Sequence, residues 1–146
     1  MGGSVVVSAG RVGMVSDLLG EPSWVERVCL IAASYRTDNR SIRELFELAA
    51  PDFGESRFVE LVARRLALEP GLVEAWQQYS ADKRGAPSPF LQGTKVGFVE
   101  KTGGKVAAGV VGRFDSEAAA CAVFIMHEAA WVLEGRRVTW STDTGQ

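Results

Sequence analysis

Histidine is almost absent from this 146-residue chain, with His127 the single one. No second histidine is present and Cys29 and Cys121 lie far apart, so no metal-ligand spacing exists and no metal site is expected. Cys121 is six residues from His127 on one helical pattern, well around the cylinder from it, which argues against a Cys–His couple. His127 is expected to be a half-exposed structural residue. Cysteine is equally scarce. Both thiols fall in apolar helical patterns, so the expectation is buried, reduced sulfur in a cytoplasmic protein rather than a disulfide framework. Long apolar runs are missing: the longest, Ala118 to Met126, has nine residues where a membrane helix needs about 20. The start, MGGSVVVSAG, lacks a basic region followed by an apolar stretch, and Val6 stands where a myristoylation signal places Ser or Thr. No internal repeat or low-complexity tract occurs. The segment Thr102-Gly103-Gly104-Lys105 lacks the flanking glycine and Lys-Ser/Thr ending of a phosphate loop. No cofactor and no catalytic set is therefore expected, and an enzyme would need residues brought together only by folding.

What is there reads as one α+β domain spanning 1–146, a length sufficient for a core without staples. Val5, Val6 and Val7 form a weak strand-like run. Trp24, Val28, Ile31, Ala32 and Tyr35 recur at helical spacing behind Pro22 and Ser23, predicting a helix over about 23–36. Ser41 with Glu44 three residues later is a capping box for a second helix, which Pro51 closes. A third pattern starts near Ser56, turns at Glu69-Pro70-Gly71 and gives way to a fourth, ended by Gly85, Pro87 and Pro89. The period then changes. Residues 95–100 and 106–114 read as a β-hairpin around Gly103-Gly104, with Gly109 and Gly112 weakening its second strand or marking a bulge. Asp115 or Ser116 caps a last helix that runs to Gly135 and is apolar on every face of its first half, hence a buried element against the hairpin. Further strands are expected from the chain ends, Val138-Thr139-Trp140 among them.

Two stretches carry functional signals. Ala63, Leu66, Ala67, Val73 and Trp76 resemble the apolar skeleton of DNA-binding helix-turn-helix proteins. That resemblance implies a regulator using Arg64, Arg65, Gln77 and Gln78, although Glu69 and Glu74 near the front of the second helix would repel phosphate. The other stretch is basic. Residues 83–113 hold six basic side chains against Glu100 alone, a net +5, which leaves ten basic against seventeen acidic elsewhere, a net −7. Such asymmetry orients encounters with an anionic partner. A loop stiffened by Pro87 and Pro89 is expected to present Asp82, Lys83, Arg84 and Phe90, next to Lys95, Lys101 and Lys105 of the hairpin. The alternative for each is structural: Phe90 tucked under the hairpin, and strand lysines that deter edge pairing.

Tyr79-Ser80, Asp82-Lys83-Arg84, Pro87-Ser88-Pro89-Phe90, Val96-Gly97, Ala120-Cys121-Ala122 and Phe124-Ile125 together are similar to small cytoplasmic immunity-type proteins of bacterial polymorphic toxin systems, over positions 79 to 128. The resemblance implies a non-enzymatic protein binder that covers a toxin's active site. Those families are diverse, and no toxin-contacting residue carries over to a numbered position. A protein partner, possibly a toxin domain, is the leading expectation. Nucleic acid is the alternative, and no membrane is involved.

Overall fold

The computed structural model describes residues 20–83, 87–102 and 105–137, with the side chains at 101–108 outside the description. The expected strands at 5–7 and 138–140, the turn at Gly103-Gly104 and the position of Arg84 lie outside the described residues. Among the described residues, five helices and one three-stranded antiparallel sheet make an α+β fold, in the order α1 (Ser23–Tyr35), α2 (Ile42–Ala49), α3 (Phe58–Leu68), α4 (Pro70–Asp82), β1 (Ser88–Gln92), β2 (Lys95–Thr102), β3 (Lys105–Arg113) and α5 (Glu117–Glu134). Among the described residues no helix is long and apolar enough to cross a membrane.

The helix boundaries follow from local chemistry. Ser41 and Glu44 form both halves of the capping box at the start of α2, satisfying two backbone N–H groups that have no helical partner. Ala50 ends that helix in the left-handed region at φ 53°, an uncommon choice for a residue with a Cβ, and Pro51 prevents continuation. Between α3 and α4 only Glu69 is left out of the helices. Pro70 and Gly71, expected in the turn, already belong to α4, because proline at the first helical position sacrifices no hydrogen bond. Ser116 Oγ accepts from Ala119 N at the head of α5, and Gly135 closes it at φ 63°.

Among the described residues the sheet has a third strand. Ser88–Gln92, expected as a stiff presenting loop, pairs antiparallel with β2, and the sheet order is β1-β2-β3. Proline is tolerated there because β1 is an edge strand. Leu91, two residues on and hence of the same parity as Pro89, turns its N–H away from β2 to donate to Ser80 Oγ at 2.8 Å. The N–H that Pro89 lacks would thus have faced outward, and no ladder bond is lost. Gly93 at φ 61° opens the two-residue turn into β2. Opposite, Val96 pairs with Gly112 but Gly97 pairs with Val110, leaving Val111 as an extra residue beside the glycine suspected of marking a bulge.

Helix α5 is the hub. It packs on α3 foremost, and on β1, α2, α4 and β2. Its residues 120–125 are all buried, and with Val28, Phe46, Val62, Leu66 and Trp76 they form the core. Each large apolar side chain so buried contributes about 1.5–3 kcal/mol. Trp76 keeps its indole N–H satisfied by Cys29 O at 3.1 Å while its ring meets Phe46, Tyr79 and Phe124. His127 is 3 % exposed rather than half-exposed, since the covered faces of α5 extend one turn past the apolar run.

Candidate functional site

A cleft of about 580 Å³ opens between α1, α4, α5 and the approach to β1. Helix α1 contributes Tyr35 and, at its C-cap, Arg36; α4 contributes Ala75, Tyr79 and Asp82, followed by Lys83 at its C-cap; α5 contributes Glu128, Trp131 and Val132. The four-residue steps Ala75–Tyr79 and Glu128–Val132, together with Tyr79–Asp82 and Glu128–Trp131 at three, set each group on one helix face.

The floor is a buried polar triad. The carboxylate of Glu128, 2 % exposed, accepts from Lys83 Nζ on Oε1 and from the Tyr79 hydroxyl on Oε2, each at 2.5 Å. Lys83 also donates to Pro89 O at 3.2 Å, which ties the end of α4 to the outer edge of β1. Its ammonium stands 5.7 Å from the centre of the Phe124 ring and 5.8 Å from that of Tyr79, within cation–π range. Burial, then the charge of Glu128 and the hydrogen bond to it, push the Tyr79 phenol well above its ordinary range, so it is a fixed donor. The rim differs. Arg36 Nη2 meets Asp82 Oδ2 at 2.6 Å with the side chains 65 % and 54 % exposed, an ion pair in water that holds little energy. Tyr35 lies edge-on to Tyr79 with centroids 5.6 Å apart, and Trp131 is backed by Phe98.

The two cysteines and the histidine do not line the cleft. Burial pushes the thiols of Cys29 and Cys121 up, making them poor nucleophiles. Burial, aided by the nearby charge of Arg137, pushes His127 down to about 4, so its imidazole is neutral near pH 7. Among the described residues no three metal-ligating side chains gather.

Of the candidate binding residues whose side chains are described, the cleft brings together Asp82 and Lys83. Lys83 turns inward to Glu128 instead of standing on a presenting loop. Phe90 is half-buried and lies over Gly97, its partner across the β1–β2 ladder; a Cβ at Gly97 would come within 2.5 Å of its ring. Lys95 starts β2 opposite Arg113, Lys101 pairs with Val106 and Lys105 with Thr102. In the helix-turn-helix stretch, Arg65 is buried against Glu21 at 2.7 Å and also reaches Glu69 at 3.1 Å. Arg64 pairs with Glu60, Gln77 donates to Glu117 and Gln78 to Asp82. These four side chains are thus engaged within the chain, and α4 begins behind exposed Glu69.

Tyr35, Arg36, Tyr79, Glu128 and Trp131 were missed as site residues. One signal did point to them: Glu128 is a carboxylate two residues behind a nine-residue apolar run, and a charge on such a helix requires a partner. The partner lies 45 positions away in sequence, beyond any local pattern. Comparison with known proteins gives no further guide, since no family model, no curated protein and no solved structure matches the chain significantly.

Proposed function

We propose that the chain is a non-catalytic protein-binding module, an immunity-type protein that neutralises a toxin by occluding it, with the cleft between α1, α4 and α5 as its docking site. One observation carries the reading: an open cleft of about 580 Å³ walled by Tyr35, Tyr79 and Trp131 and rimmed by Arg36. Tyrosine, tryptophan and arginine are the side chains in which interface energy concentrates. A floor already neutralised by its own ion pair supports binding over chemistry, because Lys83 and Tyr79 are both committed to Glu128. Of the residues that carry the resemblance over positions 79 to 128, Tyr79, Asp82, Lys83, Pro87 and Ser88 line the cleft. Regulation through DNA has less support, since Arg65 is held by Glu21 inside the protein.

Co-expression with the protein encoded beside this gene tests the proposal, read by recovery of a stoichiometric complex and by survival of cells carrying the toxin domain. A complex and protection are expected. Tyr35→Ala combined with Arg36→Ala, both at the exposed rim, weakens the complex by about 30-fold or more. A complex of full strength in that double variant removes the cleft from the interface, and a neighbouring toxin that neither binds nor is neutralised ends the immunity reading.

A further inference from the structure

A second, shallower opening of about 210 Å³ lies between α1 and α2 and shares no lining residue with the cleft. Arg27 with Leu30 and Ile31 at three- and four-residue steps sits on one face of α1, and Leu45 with Leu48 and Ala49 repeats the spacing on α2. Ile31, Leu45 and Ala49 are buried in the core, whereas Leu30 and Leu48 stand along the opening at 40 % and 58 % exposure. A lone exposed leucine is ordinary. Two of them, from different helices, lining one opening make an apolar seat. The charged residues that line it are both basic, Arg27 and Arg40. Arg40 is paired with Asp38 at 3.1 Å. Arg27 meets neutral oxygens instead, its Nε donating to Ala49 O at 3.3 Å and its Nη1 to Ser23 Oγ at 3.1 Å. The C-terminal end of α2 at Ala49 offsets part of its charge, but among the described residues no carboxylate pairs with it. Glu26, next to it in sequence, acts on Arg65, and Glu47 on α2 is taken by Arg43 at 3.2 Å.

We infer that this opening docks an acidic, leucine-bearing segment of a protein partner, its carboxylate on Arg27 and its aliphatic side chain between Leu30 and Leu48. A guanidinium has five N–H donors, and the bonds to Ala49 O and Ser23 Oγ use two of them. Those two bonds also hold the side chain in place beforehand, so little freedom is lost when a carboxylate arrives. The two leucines supply the other half of the recognition, because covering them removes apolar surface of both partners from water. A neutral or basic segment lacks the first contact, and an acidic segment without an aliphatic side chain lacks the second. The inference goes beyond the cleft and does not depend on it, since the two openings have separate linings.

The test uses three acetylated, amidated pentapeptides, Gly-Glu-Leu-Glu-Gly, its Gln-Leu-Gln analogue and its Glu-Ser-Glu analogue, titrated into the whole protein and followed by NMR at the Arg27 Nε–H and the Leu30 and Leu48 methyl groups. The first peptide is expected to shift these resonances saturably and the two analogues far less. Arg27→Gln and Leu48→Ser, both at exposed positions, each lower the affinity by about 5-fold with the rest of the spectrum unchanged. Tyr35→Ala combined with Arg36→Ala leaves it as it was. Equal shifts with either analogue overturn the proposal, as do normal binding by Arg27→Gln or Leu48→Ser and loss of binding in the cleft variant. Self-association of the protein, or sedimentation with phosphatidylglycerol vesicles, that Leu48→Ser abolishes assigns the seat to a second copy or to a lipid surface and equally overturns it.

Discussion

Taking the ammonium away from Glu128 leaves its buried carboxylate with one donor, Tyr79, where it had two. Removing one partner of a buried pair costs about 3–5 kcal/mol, whereas replacing both with apolar groups of similar volume is often close to neutral. Lys83→Met is therefore expected to lower unfolding free energy by about 3 kcal/mol in urea denaturation, toward the low end because the lysine is 17 % exposed. The double variant Lys83→Met with Glu128→Leu recovers much of the loss. His127 gives a second, pH-dependent test. Its folded-state value, near 4, is below the ordinary value of 6.5, so the unfolded chain takes up a proton first as pH falls. The associated stability is fully present above about pH 6.5 and is lost on descending through pH 4, amounting to about 3 kcal/mol. Comparing the stability of His127→Gln with the parent between pH 7 and pH 4 isolates this contribution from the carboxylates, and the variant is expected to show the shallower decline.

Within the sheet, Gly97 is the position where a side chain is least tolerated. A Cβ there would lie 2.2 Å from Gly109 O and 2.5 Å from the Phe90 ring, and a backbone oxygen in a ladder cannot step aside as a side-chain tip can. Overpacking of this kind typically costs 1–3 kcal/mol, so Gly97→Ala is expected to destabilise by about 2–3 kcal/mol, measured as a lowered denaturation midpoint. Adding Phe90→Ala relieves only part of it, since the carbonyl of Gly109 remains. The missing side chain at Gly97 is thus the space in which Phe90 lies, and the irregularity in the β2–β3 pairing falls beside it, between Val96 and Gly97. In the helices the same reasoning gives a smaller number. Ser41→Ala removes the oxygen that accepts from Glu44 N at 3.1 Å and is expected to cost about 1 kcal/mol.

Across the assembled domain, the choice between scaffold and reader for the α3–α4 pair can be decided by one residue. Arg65 joins α3 to Glu21 ahead of α1, with side chains 5 % and 2 % exposed. Arg65→Ala takes the guanidinium from that buried carboxylate and is expected to cost about 3–5 kcal/mol, while binding to duplex DNA at low salt is negligible before and after the change. Salt-sensitive DNA binding that is lost in the Arg64→Ala, Arg65→Ala double variant without loss of stability would restore the regulator. The Arg57–Glu60–Arg64 group on the same helix is exposed and contributes little to this balance.

Much of the fold was legible because its determinants are local. The capping box at Ser41 and Glu44, the glycine at 135 and the 3.6-residue stripes each act within a turn or two of chain, so helix positions could be read directly. Ser88–Gln92 escaped because Pro87 just before it and Pro89 within it dominate the local reading, and only a helix supplying Ser80 and Lys83 along its outer edge makes it a strand. The candidate site was less legible still. Asp82 and Lys83 could be singled out as charges beside a break, but their partners, Arg36 and Glu128, lie 46 and 45 residues away. Sequence by itself determined which segments become helix or strand, because hydrogen bonding and burial periodicity operate over neighbouring residues. Tertiary structure alone decided that Lys83 turns inward, that Arg65 is spent on Glu21, and that the ends of three helices surround one cleft, because desolvation and charge pairing depend on what folding brings near.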